Sequence, residues 1–199
     1  MADPIVTIRF TLRRAEIDLR RLTDAFARDG LHGVGMVELA RAGRVAKPTL
    51  YRAHPSKDAL FLACVDAEVE RLLDRLYATY ARALDDTLDE VLAALASALF
   101  AYADERPLAF RLLFITASHQ TSTVAADVDS TLARIIDRLA DLLVRHPAWR
   151  ASAADAALVG GLLPAAVANV LRRTDEPWDR DAQAARIAAL LHPPAPTRS

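Results

Sequence analysis

Apolar positions recur at helical intervals along almost the whole chain, and turn residues cut them into segments. In residues 13–29, Ile17, Leu22, Ala25 and Phe26 share a face, and Gly30 is placed to end the helix. A short helix over 35–42 turns Met36, Leu39 and Ala40 inward. After the turn Gly43-Arg44-Val45-Ala46, a third helix over 47–53 tolerates Pro48 in its first turn. Pro55-Ser56 breaks the pattern, and Ser56 can cap a long helix from 57 to about 84. Its face is Phe61, Val65, Val69, Leu72, Leu76 and Tyr80, at steps of three and four.

Asp86 is expected to cap a fifth helix, with Leu88, Val91, Leu95, Leu99 and Tyr102 on one side. Arg106-Pro107 marks a break before a sixth helix over 108–118, and 119–123 reads as a polar loop. Residues 124–145 carry a heptad-like seam of Val128, Leu132, Ile135, Leu139 and Leu142, stopped by His146-Pro147. Ser152 and Asp155 have capping-box spacing for a helix over 153–173. A last helix is expected over 179–191, followed by a proline-rich tail. Apart from the short stretch 5–10, no strand alternation competes, so the fold class is all-α.

Composition supports this. Alanine and leucine dominate, and the chain of 199 residues has only six glycines. A single cysteine, Cys64, excludes an internal disulfide framework and a cysteine zinc site. It suits a small buried apolar residue in a reducing compartment, and residues 1–12 lack signal-peptide character, so the expected location is the cytoplasm. The apolar run 156–171 is broken by Pro164 and Asn169 and falls short of the ~20 residues that span a bilayer; a buried helix is expected and no membrane partner. The five histidines are scattered, and no HExxH or GxSxG is present. The acidic pairs Asp85-Asp86, Asp89-Glu90 and Asp104-Glu105 fall at helix ends, as caps and solvated faces. No catalysis, metal or cofactor is expected.

Charge is unevenly spread. Residues 1–60 hold eleven Lys/Arg against seven Asp/Glu, and residues 61–199 hold fourteen against nineteen. A basic N-terminal unit on an acidic body suits a nucleic-acid-binding head. Of 25 basic residues only Lys47 and Lys57 are lysines, and they flank the third short helix. Two short helices and a tight turn, the second helix polar near its start, suit a helix-turn-helix whose recognition helix enters the major groove. Thr49 and Arg52 are expected to point outward and Leu50 inward, with the Tyr51 hydroxyl on a phosphate. Lys47, Pro48, Arg44 and His54 complete the candidate surface, His54 as a packed or phosphate-facing residue. Lys57 starts the long helix, where the helix dipole favours an anion. Arg13 and Arg14 are further candidates for a phosphate or the minor groove.

Phe26, Gly30, Leu39-Ala40, Val45, Lys47, Thr49-Leu50-Tyr51, Ser56-Lys57 and Leu60 fall in an ungapped register that resembles the TetR/AcrR family of bacterial transcriptional regulators. The resemblance covers roughly residues 13–62. It implies a three-helix DNA-binding head (13–56) and a helical ligand-binding and dimerisation body (57–191), between the flexible arm (1–12) and disordered tail (192–199) that the sequence itself suggests. It further implies an Ω-shaped homodimer in which the last two long helices, 124–145 and 153–173, pair with a partner's. The seam Val128, Leu132, Ile135, Leu139 and Leu142 and the small residues Gly160, Gly161, Ala165 and Ala168 are the expected interface. Four positions depart from the family pattern. Arg44 stands where the turn usually has glycine, Ala46 at a Ser/Thr cap, His54 at an aromatic position, and Val34-Gly35 at the second helix's cap.

An effector pocket in the body is expected on the same analogy. Phe61, Val65, Phe100, Phe110 and Phe114 are its candidate walls, and Tyr102, Thr116, His119, Gln120 and Asn169 its polar anchors. The alternative is that the aromatics are ordinary core and His119 sits in an exposed loop. The expected function is a ligand-responsive transcriptional regulator, a repressor binding a palindromic double-stranded operator as a homodimer and released by a largely apolar small molecule. The competing reading is a helical dimeric small-molecule-binding protein whose DNA binding is weak or lost.

Overall fold

A computed structural model describes residues 17–116, 124–173 and 179–191, and all the regular structure in them is helical. The head holds α1 (Leu19–Gly33), α2 (Met36–Ala42) and α3 (Lys47–Ala53). The body holds α4 (Lys57–Arg82), α5 (Leu88–Glu105), α6 (Pro107–Arg111), α7 (Ala125–Arg145), α8 (Ala153–Arg173) and α9 (Arg180–Leu191).

The helix boundaries follow from local capping chemistry. Asp18 Oδ1 accepts from the Arg21 N–H at 3.4 Å, so α1 starts at Leu19 rather than running unbroken from residue 13. Gly30 sits at φ 75°, the left-handed position that ends the regular part of α1 before a final turn to Gly33. Ser56 caps α4 by accepting from the Ala59 N–H at 3.0 Å. The expected Asp86 cap is replaced by Thr87. Glu90, three positions on, accepts from the Thr87 N–H at 2.8 Å while Thr87 Oγ1 accepts from the Glu90 N–H, a reciprocal arrangement Asp86 lacks. The Ser152–Asp155 box forms as expected, with bonds of 2.9 and 3.1 Å. The expected sixth helix is shorter than its apolar pattern suggested. It stops at Arg111 and widens into a π-helical turn, Leu112–Thr116, that brings both Leu112 and Leu113 into the core.

Packing places α4 at the centre, against α1 on the head side and against α5 and α7 in the body. Helix α5 lies mainly on α9, and α7 on α8. The head's small core is Leu22, Phe26, Leu31, Leu39 and Leu50, all fully or almost fully buried. It is continuous with the body through an edge-to-face contact between Phe26 and Phe61, 5.1 Å between ring centroids. Helix α8 is long and apolar enough to cross a membrane by composition, but Ala156, Leu163, Val167 and Ala168 bury its inner face in the protein.

Candidate nucleic-acid interface and its connection to the body

The turn before α3 has an unusual backbone. Arg44 adopts φ 56°, the only non-glycine residue with positive φ among the described residues. The chain must turn left-handed there to bring α3 across α2, the reason a glycine suits this position. Ala46 caps α3 without a side-chain hydrogen bond; its carbonyl accepts from the Thr49 and Leu50 N–H groups at 2.9 and 3.2 Å, and Pro48 has no N–H, so in the first turn only the Lys47 N–H is left to solvent or a ligand. At α2 the cap residue Gly35 has no side chain to offer, and only the Glu38 carboxylate contributes, accepting from the Gly35 N–H at 2.8 Å.

Arg44, Lys47, Pro48, Tyr51 and Arg52 are exposed along α3 and its turn. Leu50, on the opposite side, is fully buried and anchors the helix to the head's core. The Lys47 ammonium lies 5.7 Å from the centroid of the Tyr51 ring, a cation–π pair that steadies both groups on the outer face. Thr49 is half-buried rather than fully outward, and its hydroxyl accepts from Arg52 Nη2 at 3.3 Å. That bond aims the guanidinium along the helix. His54 closes α3 half-buried, and desolvation holds its imidazole below the usual 6.5. Lys57 is also half-buried. Its ammonium donates to the Val34 carbonyl at 3.3 Å, tying the start of α4 to the end of α1, with two N–H donors remaining for an anion. Arg13 and Arg14 lie outside the described residues.

Glu68 is a feature the sequence reading missed. It is fully buried on the inner face of α4. Tyr102 donates its hydroxyl to Glu68 Oε2 at 2.8 Å, and Arg106 Nη2 donates to Oε1 at 2.8 Å. Arg71 Nη1 lies 2.7 Å from the same Oε1. Arg106 Nη2 also lies 3.2 Å from Asp24 Oδ1 and 3.4 Å from the Arg20 carbonyl, both on α1. Burial works against the Arg106 charge, but the bond from Glu68 and the charges of Glu68 and Asp24 outweigh it and raise its pKa. Burial, reinforced by the Glu68 charge, pushes the Tyr102 phenol well above its ordinary range. Removing one partner from such a cluster typically costs about 3–5 kcal/mol. The available signal was a glutamate three positions after Val65, inside an otherwise apolar stripe.

The described pocket-wall candidates lie in the core. Phe61 joins head and body through Phe26, and Val65, Phe100, Tyr102 and Phe110 are buried in the same continuous core. Phe110 and Phe114 stack at 4.8 Å with a 47° tilt. Asn169 is on the exposed side of α8. His119 and Gln120 lie outside the described residues, as does the Thr116 side chain. Three surface clefts formed by described residues, of about 560, 430 and 410 Å³, are lined by none of the expected pocket residues.

The expected dimer seam also needs correction. Val128, Ile135, Leu139 and Leu142 are buried within the protomer, and Leu132 packs partly against the same core. Ala168 is buried too. A Cβ on Gly160 would stand 2.8 Å from the Ile136 carbonyl oxygen, so this glycine serves the contact between α7 and α8 of one chain. Periodicity identified a buried face but not the helix that covers it. The outward face instead carries Leu158 and Leu162, 64% and 53% exposed, with Ala165 on the same side, Gly161 half-buried between them and Val144 exposed on α7.

Comparison with known proteins agrees with this architecture. Residues 21–64, from α1 into α4, match the family model of bacterial regulatory proteins of the tetR family. The HTH-type transcriptional activator FasR of Mycolicibacterium smegmatis (strain ATCC 700084 / mc(2)155) is 31% identical over 173 residues, 85% of this chain and 76% of that protein. The fatty acid degradation regulator FadR of Bacillus halodurans superposes with a TM-score of 0.72 at 17% identity, over 87% of this chain and 95% of that one. FadR of Bacillus subtilis, solved in complex with stearoyl-CoA, gives 0.71 at 16% identity with the same coverage. With its helix-turn-helix head, its all-helical body and a regulator of this kind as a relative across most of its length, the chain belongs to the tetR family of bacterial regulatory proteins.

Proposed function

We propose that this transcriptional regulator binds a palindromic operator as a homodimer and responds to a long-chain acyl thioester of coenzyme A. The observation that carries the DNA reading is the exposed set Arg44, Lys47, Tyr51 and Arg52 on one face of the head, within the segment that matches the family. Lys47 and Lys57 act as phosphate contacts at either end of α3, while Thr49 and Arg52 face the base edges. Residues 13–56 form the binding head and 57–191 the effector and dimerisation body. Two heads would occupy half-sites ~34–36 Å apart, or a multiple of that spacing.

Homodimerisation is supported by the outward apolar face of α7 and α8, with Leu158, Leu162, Ala165 and Val144. The effector class is supported by the body's aromatic core at Phe100, Phe110 and Phe114, where α5, α6 and the π turn meet, and by the FadR fold solved with stearoyl-CoA. Such a ligand acts only if it binds one head arrangement more tightly than the other. The regulator acts in the cytoplasm, where the operator is, and represses by covering its promoter. Activation is a second reading, favoured by the FasR relative, which is an activator.

Selection of duplexes from a random DNA pool by the purified protein tests the DNA reading. An enriched palindrome is expected, and a pool that never converges would contradict it. Stearoyl-CoA, with free coenzyme A as control, should shift both thermal stability and affinity for the selected palindrome. A reporter carrying that palindrome at the native promoter gives the sign, since deletion of the gene should raise expression under repression and lower it under activation.

A further inference from the structure

The buried cluster around Glu68 joins two parts of the molecule that must keep a fixed relation for DNA binding. Asp24 and Arg20 belong to α1 of the head; Glu68 and Tyr102 belong to α4 and α5 of the body. Arg106 is the residue between them, at the break between α5 and α6 immediately before Pro107. A single nitrogen, Nη2, makes its contacts to Glu68, Asp24 and the Arg20 carbonyl, at 2.8, 3.2 and 3.4 Å. Its Nε is buried with no hydrogen-bond partner among the described residues. A guanidinium that engaged either carboxylate with two parallel bonds would use its fork more completely. The observed geometry is therefore shared between head and body. A second arrangement, with Arg106 turned wholly onto Glu68 and Asp24 released, is chemically available.

We propose that Arg106 is a positioning latch that fixes the orientation of the DNA-binding head on the body by dividing its guanidinium between Asp24 and Glu68. Its role in operator recognition rests on the function proposed above. The latch lies at the corner that leads into α6, and α6 itself packs on α1. Movement of α6 or of the π turn after it bears directly on how Arg106 is shared.

The test is a distance measurement. Spin labels on Val37→Cys in α2 and Leu84→Cys beyond α4 use exposed positions, while native Cys64 is buried and stays unlabelled. Dilution with unlabelled chain restricts the signal to distances within one protomer. The parent pair should give one narrow distribution. Asp24→Asn, which removes only the head-side carboxylate, should broaden or displace it. Arg106→Lys, which keeps the charge but not the reach to both sides, should do the same. Asp66→Asn removes one of the two ion pairs that α4, through Asp66 and Glu70, makes with Arg134 of α7, inside the body, and should leave the distribution unchanged. Unchanged distributions in both Asp24→Asn and Arg106→Lys would overturn the latch, as would an equal broadening in Asp66→Asn. Failure of the function reading shows separately, as absence of operator binding by the wild-type chain.

Discussion

Arg44 and Ala46 stand on either side of Val45 in the turn that leads into α3, and both are suboptimal for it. Holding Arg44 in the left-handed region costs about 1–2 kcal/mol. Glycine would relieve that cost but adds freedom to the unfolded chain worth about 0.4–1 kcal/mol, so Arg44→Gly should be neutral to stabilising, by about 0–1.6 kcal/mol. Ala46→Ser is a second lever. It supplies the missing acceptor to α3 and should stabilise the protein by ~1 kcal/mol, seen as a higher urea midpoint at unchanged slope. Cys64 gives a second residue-scale expectation. Burial pushes its thiol up to about 12, so the folded protein should resist alkylation near pH 8 and react only on unfolding. The folded thiol stays protonated while the unfolded one ionises, so its stabilising contribution is complete below pH 9.0 and is lost as the pH rises towards 12. Rapid modification of the native protein would contradict the burial. At this scale the sequence was most informative where partners are near each other. Leu50 and the exposed Lys47 follow from helical position alone, whereas Glu68 and Arg106 meet across 38 positions that no local pattern connects.

Helix α8 shows what periodicity can and cannot say at the scale of an element. Its capping box was readable because Ser152 and Asp155 are three positions apart on one helix end. Its partner was not, because two adjacent glycines look alike in sequence and face different neighbours in the fold. Gly160 closes on the backbone of α7, while the nearest atom to a Cβ on Gly161 is Ile136 Cδ1 at 3.7 Å. Gly160→Ala should therefore destabilise by about 1–3 kcal/mol through a backbone clash. Gly161→Ala should be neutral or gain about 0.5–1 kcal/mol from helix propensity. Thermal unfolding of the two variants side by side checks this, and equal effects would contradict the packing of α7 on α8. The seam from Val128 to Leu142 teaches the same point. Its apolar repeat is real, but a repeat records burial without naming the covering surface, and here that surface lies within the same chain.

At the scale of the whole molecule, the family, the helical class and the order of helices were legible because each rests on local signals repeated along the chain. The association of chains and the effector site depend on surfaces gathered from distant segments. Leu162→Glu places a charge on the outward face of α8 and should convert the proposed dimer to monomer in light scattering after gel filtration, without a loss of helicity. A dimer that survives would move the interface elsewhere. Operator binding depends above all on the head gripping the DNA phosphate backbone. Fluorescence anisotropy with the selected palindrome, repeated over a salt series, tests that most directly, with Lys47→Ala as the comparison because Lys47 is exposed and, among the described residues, has no backbone tie of the kind that holds Lys57. The expected result is specific binding that weakens steeply with salt, and a log–log slope smaller by about one unit for each Lys47 removed. Binding that ignores the palindrome, or a slope that Lys47→Ala leaves unchanged, would contradict it.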